Sequence, residues 1–237
     1  MELLVVIAIL MLAVAIVLPV VGRVRTVARV SNCLSRQRQL AVGVNTFAGE
    51  HADQIPRGPD SLSFIPGQFQ SAAEVREFEV ASSIVQLPGA VLNAHGILLN
   101  GYITDSRAIF CPGDDTADPE QELVKIGNPA QLVFSSYLYR QLDQAPRGLL
   151  SDMGDNDEGV LATVLVLDSN SVYDASADTY RTNHQSNPVN AAFTDGHARS
   201  FVNEQNTFSL AASDYAGGWP GIESAYNRML IIADREP

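Results

Sequence analysis

The chain has 237 residues, of which 15 are Lys or Arg and 27 are Asp or Glu, so its formal net charge is −12. Residues 1–50 carry a net charge of +3 and the remaining residues carry −15. The strong negative charge of residues 51–237 argues against a nucleic acid partner, because nucleic-acid-binding domains present a basic face. Once about 50 residues are set aside for an N-terminal helix, the rest is long enough for one domain with its own core.

An apolar run at the N-terminus, residues 1–22, predicts a membrane helix. Residues 3–21 include no charged or polar side chain. At about 1.5 Å per residue, a helix of this length spans the ~30 Å hydrocarbon core of a bilayer. A cleaved secretory signal is the alternative, but no basic stretch precedes the run and residues 20–23 are a poor cleavage site. We therefore expect a retained anchor.

The start of this run resembles the N-terminal segment of type IV pilins and type II secretion pseudopilins. The similarity lies in Glu2, in the Leu-Leu-Val-Val-Ile-Ala-Ile that follows it, and in Pro19. In that family a basic leader is removed ahead of a Phe-Thr-Leu stretch, and the new N-terminus is methylated. Neither the leader nor that stretch precedes Glu2 in this sequence, so processing and methylation are implied by the resemblance alone. The resemblance implies that Glu2 and Pro19 serve filament assembly, with Glu2 meeting the N-terminal amine of a neighbouring subunit.

The helix is predicted to continue through residues 23–50, which form its amphipathic outer half. Apolar residues recur there at three- and four-residue steps, with Arg, Gln and Ser between them. We expect a kink at Pro19, which removes one backbone hydrogen bond. The apolar stripe needs a cover, most simply a sheet formed by the rest of the chain. The stripe comprises Val20, Val24, Val27, Val30, Leu34, Ala41, Val44 and Phe47.

Residues 51–237 predict an α+β head domain, in which a small antiparallel sheet with extra short helices packs on the outer half of the N-terminal helix. Ser71 and Glu74 form a capping box that predicts a helix ending at Pro88. Runs of β-branched and aromatic residues predict the strands. The other predicted elements are a loop over 52–70, a helix over 90–99, strands over 108–112, 132–140 and 160–167, a loop over 141–159, irregular chain over 203–218, and a closing helix over 221–233.

The clearest local pattern in the head is a β-hairpin over residues 190–202. Two alternating segments flank Asp195-Gly196, a pair typical of a type I′ turn, in which both positions need φ > 0. The hairpin also resembles the Asn-x-x-Phe-x-Asp-Gly-His-Val motif of a prepilin-type group abundant in planctomycete-like bacteria. The segments around Cys33 and Pro56 loosely resemble other motifs of that group. The residues that match the hairpin motif are His184, Asn190, Phe193, Asp195, Gly196 and His197.

Cys33 and Cys111 are the two cysteines of the chain, and their spacing matches no zinc motif. In an extracytoplasmic domain they can form a disulfide, which closes a long loop and is worth up to roughly 4 kcal/mol. Two buried free thiols are the alternative, and the sequence does not decide between them.

Two further groups of residues have the chemistry of metal ligands. Asp168, His184, Asp195 and His197 can form a metal site if they converge, because carboxylate and imidazole are usual ligands of first-row metals. The alternative is a structural use, since the turn itself explains Asp195. A hydrolase would also need an open coordination position and a general base.

The second group is an acidic loop over residues 152–159. Asp152, Asp155 and Asp157 are candidate calcium ligands, although the spacing of an EF-hand is absent. A solvated acidic loop is the alternative. Near the C-terminus, Trp219 is interpreted as a packed loop anchor rather than a ligand surface.

The resemblance implies a structural subunit of a type IV pilus-like or type II secretion pseudopilus-like filament, and not an enzyme. We expect no catalytic residues and no cofactor beyond the candidate calcium. The implied partners are copies of the chain or other pilin-like subunits, the inner membrane, and the secretion or pilus assembly machinery. The alternatives are a membrane-tethered metal-dependent hydrolase and a ligand-binding domain, both using the region around Asp168, His184 and His197.

The orientation in the membrane follows the resemblance. The Arg residues after the apolar run would by themselves place residues 23–38 in the cytoplasm. Pilin-like proteins instead carry their globular part outside. We therefore expect a single-pass inner-membrane protein whose head lies in the periplasm or outside the cell.

Overall fold

A computed structural model of the chain describes residues 2–57, 81–87, 89–114, 118–140, 149–156, 158–170 and 183–236. Within these ranges one long N-terminal helix lies against a six-stranded antiparallel sheet with several short helices. The predicted α+β fold class is therefore confirmed. The predicted capping box at Ser71 and Glu74, the candidate ligand Asp157, and the side chains of Glu2 and Trp219 lie outside the described residues.

Helix α1 spans Glu2–Glu50 and is continuous through Pro19. Its 49 residues correspond to a rod about 75 Å long. The kink expected at Pro19 stays a prediction. The buried side chains of α1 begin at Cys33 and recur at three- and four-residue steps. This confirms the predicted apolar stripe on the outer half of the helix. The stripe does not include Val20, Val24 and Val27, which are exposed. The buried stripe comprises Cys33, Gln37, Leu40, Ala41, Val44 and Ala48.

The sheet has the order β2-β1-β3-β4-β5-β6, and each neighbouring pair is antiparallel. Its strands are β1 (Ala81–Leu87), β2 (Val91–Leu92), β3 (Val133–Arg140), β4 (Val164–Asp168), β5 (Val189–Phe193) and β6 (Ala198–Phe201). The helices after α1 are α2 (Pro119–Lys125), α3 (Ala212–Ala216) and α4 (Gly218–Asp234), and the 3-10 turns are Ala94–Leu99, Ser106–Ile109, His184–Ser186 and Glu204–Asn206.

The two faces of the sheet are covered by helices from opposite ends of the chain. On β3, Tyr137 and Tyr139 pack in the cluster that contains the outer half of α1. Leu138 between them packs in the cluster that contains Met229 and Leu230 of α4. This alternation follows from the period of two along a strand. The sheet is therefore buried between α1 and α4.

Several predicted elements agree with the structure. The strands predicted over 132–140 and 160–167 correspond to β3 and β4, although β4 begins only at Val164. The hairpin predicted over 190–202 corresponds to β5 and β6, and the closing helix to α4. In the region 203–218, predicted to be irregular, the structure has a 3-10 turn and the short α3.

Three predictions on the N-terminal side of the sheet are wrong or partly wrong. A helix was predicted to end at Pro88, but Ala81–Leu87 form strand β1. These residues are a strand because they pair with β3 and bury Ile84 and Val85. The helix predicted over 90–99 is strand β2 followed by a 3-10 turn. The strand predicted over 108–112 begins in another 3-10 turn, whose Arg107 N–H donates to the Asp105 carboxylate.

The hairpin turn also differs from its predicted type. Gly196 has φ +87°, but Asp195 is not in the positive-φ region. Gly196 N–H donates to the Phe193 carbonyl at 2.9 Å, and Phe193 N–H donates to the His197 carbonyl at 3.0 Å. This is a three-residue loop, a type I turn followed by a left-handed glycine. The I′ prediction is therefore wrong, and only Gly196 needs a glycine.

Candidate functional site

The N-terminal part of α1 presents a broad apolar surface. Its described large apolar side chains are 39% to 68% exposed. Each such side chain gains roughly 1.5–3 kcal/mol when it is fully buried. Together they outweigh a typical net folding stability of about 5–15 kcal/mol, so in water this surface needs a cover. These residues are Val6, Ile7, Leu10, Met11, Leu12, Val14, Ile16, Val17, Leu18, Val20, Val21, Val24 and Val27.

This segment has the dimensions and pattern of a membrane or helix-bundle contact. The helix is long and apolar enough to cross a membrane. One face of it forms a shallow groove at steps of three and four residues, the spacing of a helix–helix contact. Ile7, Leu10, Met11, Val14, Ala15 and Leu18 line that groove.

The outer part of α1 is fastened to the head by polar contacts as well as by its apolar stripe. Arg36 Nη1 donates to the carbonyls of Arg107 and Phe110 at 3.1 and 2.8 Å. Asn45 Nδ2 donates to the carbonyl of Thr194 in the hairpin turn at 3.0 Å. These bonds join α1 to two separate segments of the head, so the helix and the head are oriented together.

A second candidate site lies buried between α1 and the sheet, where four metal-ligand side chains meet. Cys33 comes from α1, Cys111 from the chain after the second 3-10 turn, Asp168 from the end of β4, and His184 from the turn before β5. One ligand atom of each lies within 4.8 Å of the others. Their exposure is 0%, 1%, 0% and 6%, respectively. We call these four residues the Cys-Asp-His cluster.

Asp168 is held by four hydrogen bonds from neutral groups. Its Oδ1 accepts from Gln37 Nε2 at 2.8 Å, from Asn183 Nδ2 at 3.2 Å and from the Cys33 thiol at 3.2 Å. Its Oδ2 accepts from the Asn190 backbone N–H at 2.8 Å. Burial raises the pKa of Asp168 to about 7, and these hydrogen bonds only partly oppose that shift. A charged carboxylate at this position is therefore costly without a cation.

The imidazole of His184 presents a lone pair to the cluster. Its Nε2 lies 3.1 Å from Cys111 Sγ and 3.4 Å from Asn190 Nδ2. Asn190 Oδ1 accepts from Ser200 Oγ at 2.6 Å, so its Nδ2 is the atom that faces the ring and donates to Nε2. Burial lowers the pKa of His184 to about 4, with the positive charge of Arg29 as a smaller cause. The ring is thus neutral at physiological pH.

The backbone around Cys111 is shaped to fit this ring. Gly113 N–H donates to Cys111 Sγ at 3.2 Å. A Cβ on Gly113 would lie 2.2 Å from His184 Nδ1, so any side chain there would displace the imidazole. His184 itself has φ +54°, which is uncommon for a residue other than glycine. On the other side of the cluster, Tyr137 Oη lies 3.4 Å from Cys33 Sγ, and burial raises the pKa of the Cys33 thiol well above its ordinary value.

Of the four residues predicted as a possible metal site, the structure brings together only two. Asp168 and His184 belong to the Cys-Asp-His cluster, whereas Asp195 and His197 lie together at the hairpin turn. There His197 Nδ1 is 2.5 Å from Asp195 Oδ1, and the imidazole stacks on Phe193 with ring centroids 4.2 Å apart. The backbone N–H of His197 holds the pKa of Asp195 below its usual value. These two residues have the structural use described as the alternative.

For Cys33 and Cys111, of the two alternatives that the sequence left open, the structure has the buried free thiols. The sequence did not predict that these cysteines lie beside Asp168 and His184. The four ligands come from four distant segments, so no local spacing signals them. The one signal that could have indicated the cluster was the presence of two cysteines in a chain that also has the candidate metal ligands Asp168 and His184.

The candidate calcium loop is only partly described. Asp152 and Asp155 are exposed, and Asp157 lies outside the described residues, so the calcium site stays a prediction. Asn156, between these acids, has another use: its Nδ2 donates to Asp234 Oδ2 of α4 at 3.0 Å. The loop is therefore anchored to the closing helix.

Comparison of the chain with protein-family models, with curated proteins and with solved structures finds no match. The architecture is a long apolar N-terminal helix with a small antiparallel sheet on its outer half, which is compatible with a pilin-like fold.

Proposed function

We propose that the chain is a structural subunit of a type IV pilus-like or type II secretion pseudopilus-like filament, anchored in the inner membrane and assembled through the exposed part of α1. The observation that carries this proposal is the division of α1. From Cys33 onward the helix is docked on the sheet, whereas its described apolar side chains before residue 28 are exposed. A helix of a soluble globule would bury both parts.

The groove along Ile7 to Leu18 supports assembly in addition to anchoring. Apolar side chains such as Leu12 and Ile16 are also exposed on the other side of the helix, so several of its faces are available for lipid or for neighbouring helices. Helices in a bilayer associate through van der Waals packing along such a face. Glu2 adds a second element, since a carboxylate at the head of an apolar helix is costly without a partner. The resemblance to pilins implies that this partner is the N-terminal amine of a neighbouring subunit, which is either another copy of the chain or another pilin-like protein.

The polar fastening of α1 supports a structural role for the head. Arg36 and Asn45 join the helix to two parts of the head, and Gln37 joins it to Asp168 and to the Asn190 carbonyl. A head fastened in this way is displayed at a set orientation when the helices bundle. We expect it in the periplasm or on the cell exterior, where the assembly machinery of such filaments acts.

The alternative of a metal-dependent hydrolase has less support. A hydrolytic metal needs an open coordination position that substrate can reach. Asp168 and His184 are almost fully buried, and His197 lies at the hairpin turn instead of beside them.

The test compares the full chain with a shortened chain of residues 23–237. We expect the full chain in the membrane fraction and in oligomers, and the shortened chain soluble and monomeric in size-exclusion chromatography. A photo-reactive residue at Val14 in the groove is expected to cross-link copies in membranes. The matched control is the same residue at Val42, which is about as exposed (58% against 54%) but lies on the docked half. Filament-like assembly by the shortened chain, or equal cross-linking at both positions, would overturn the proposal.

A further inference from the structure

The Cys-Asp-His cluster has the donor set of a closed zinc site. Two sulfur atoms, one imidazole nitrogen and one carboxylate oxygen are ligands that Zn²⁺ takes in tetrahedral structural sites. With bonds of about 2.0–2.3 Å, ligand atoms in such a site lie roughly 3.3–3.8 Å apart. Here Cys111 Sγ and His184 Nε2 are 3.1 Å apart, and Cys33 Sγ and Asp168 Oδ1 are 3.2 Å apart. We propose that Cys33, Cys111, Asp168 and His184 bind one Zn²⁺ as a structural site.

Nε2 is the nitrogen of His184 that can bind a metal, because it faces the Asn190 N–H and is therefore unprotonated. On metal binding its single lone pair would turn from Asn190 to the cation. The Cys33 thiol points at Asp168 Oδ1. On binding, the two thiol protons leave to water, and the thiolates and the carboxylate take the cation in their place. A cation thus takes the place of the two thiol protons among ligand atoms that already lie within 4.8 Å of one another.

The surroundings are arranged to hold anionic ligands. Gly113 N–H donates to Cys111 Sγ, and Gln37 and Asn183 turn their amide N–H groups toward Asp168. This orientation leaves Gln37 Oε1 and Asn183 Oδ1 buried without a hydrogen-bond partner. An unpaired buried acceptor costs about 1–3 kcal/mol. The same amide nitrogens also donate to the carbonyls of Asn190 and Ser136, so backbone and carboxylate acceptors together fix this orientation.

In the described part of the chain, no basic side chain contacts the four ligands to balance those anions, and Arg29 acts on His184 only through its charge. Among the residues that the structure describes, no Lys or Arg forms an ion pair or hydrogen bond with any of the four ligands. Buried charges in proteins are paired or coordinate a metal. Zinc satisfies this requirement, and thiolate ligands favour it over calcium or magnesium.

Zinc at this position would fasten α1 to the head. Cys33 is the ligand on the helix, whereas Cys111, Asp168 and His184 belong to three separate parts of the head. Four protein ligands fill a tetrahedral site, so the proposed metal is structural and has no position for substrate. Zinc at this site would hold the helix on the head whether or not the chain assembles into filaments.

The test uses the full chain in detergent, purified under reducing conditions without a metal-affinity tag. Elemental analysis is expected to give one zinc per chain. After removal of zinc, Co²⁺ is expected to produce the visible absorption of a tetrahedral site and a near-ultraviolet thiolate charge-transfer band. Cys111→Ser and His184→Ala are expected to lose the stoichiometric metal. His197→Ala is the matched control, and it should retain the metal because His197 lies outside the cluster.

The wild-type measurements decide the question even if a ligand variant fails to fold. Less than a tenth of an equivalent of zinc, together with no cobalt charge-transfer band, would overturn the proposal. So would mass spectrometry that finds Cys33 and Cys111 joined in a disulfide in protein incubated with zinc. Retention of full metal by Cys111→Ser would equally overturn it, because the metal would then be bound elsewhere.

Discussion

Two buried carboxylates of this chain, Asp234 and Asp168, are held in opposite ways. Asp234, at the end of α4, forms an ion pair with Arg140 of β3, whose Nη1 lies 2.9 Å from both carboxylate oxygens. The two side chains are 0% and 3% exposed. Asp234 also accepts hydrogen bonds from the backbone N–H groups of Thr163 and Val164. This carboxylate has its cation and its hydrogen bonds within the protein.

Asp168 is as deeply buried as Asp234, but it accepts four hydrogen bonds, fewer than Asp234, and all of them come from neutral donors. Gln37, Asn183, Cys33 and the Asn190 backbone surround it, and in the described part of the chain it has no ion pair. A buried carboxylate without a cation must take up a proton or a metal. Burial raises the pKa of Asp168 despite its hydrogen bonds. Asp234 is balanced within the protein, whereas Asp168 is the carboxylate that we propose binds zinc.

The largest expected effect comes from breaking the balanced pair. Asp234→Ala removes the carboxylate that balances the buried charge of Arg140 and should destabilise the head by about 3–5 kcal/mol. Urea denaturation of the shortened chain measures this change. Glu236→Ala is the control, because the Glu236–Arg199 pair is exposed at 3.6 Å and is worth at most about 1 kcal/mol.

The double variant Arg140→Met, Asp234→Leu sharpens this prediction. Replacing a buried ion pair by apolar residues is often close to neutral. We therefore expect the double variant to recover most of the stability that Asp234→Ala loses. An equal loss in both variants would mean that the hydrogen bonds of Asp234, and not the buried charge of Arg140, carry the effect.

The next effect concerns His95, a buried titratable group that forms no ion pair with any residue that the structure describes. Its Nε2 lies 2.7 Å from Ser135 Oγ, and its Nδ1 is buried without a partner. Burial lowers the pKa of His95 from 6.5 to about 3. The neighbouring Tyr139 ring, 5.4 Å away, stays neutral because burial raises its pKa. The protein therefore keeps this imidazole uncharged.

The sign of the pH effect follows from proton uptake by the unfolded chain. Between pH 6.5 and about 3 the unfolded state binds a proton at His95 that the folded state does not, so stability falls as pH falls through this window. At ~1.4 kcal/mol per pH unit, about 2 kcal/mol is lost between pH 6.5 and 5. His95→Gln should remove that part of the slope, measured as a difference from wild type in urea denaturation. His51→Gln, at an exposed position, is the control that should leave the slope unchanged.

Local patterns predicted the parts of this fold that local physics determines. The apolar run and its periodicity predicted α1, and β-branched runs predicted β3 and β4. Strand β1 was mistaken for a helix because its state is set by pairing with β3, some 50 residues later in the chain. The turn at Gly196 was mistaken for a type I′ turn, since the Asp-Gly pair suits both turn types and only the register between β5 and β6 distinguishes them.

The buried polar sites were predicted less well, for the same reason. Asp168 and His184 were predicted as candidate ligands from their residue types. The two cysteines lie beside them because α1 docks on the sheet, a contact that no local pattern predicts. The Arg140–Asp234 pair was not predicted at all. Its members are 94 residues apart, and nothing in the neighbourhood of either residue signals the other. Sequence patterns indicate which side chains can act, whereas tertiary contacts decide which of them meet.

The smallest expected effect returns to the carboxylate without a cation. Asp168→Asn keeps one oxygen for Gln37 and Asn183 and turns an N–H group toward the Asn190 backbone N–H. In metal-free protein the loss should be roughly 1 kcal/mol, at the low end for one unsatisfied donor. With zinc present the loss should be clearly larger, since the variant lacks an anionic ligand. Thermal denaturation of both proteins with chelator and with zinc measures the difference, and Asp195→Asn is the exposed control. A loss with chelator as large as that of Asp234→Ala would contradict the comparison, because it would mean that Asp168 is balanced by the protein itself.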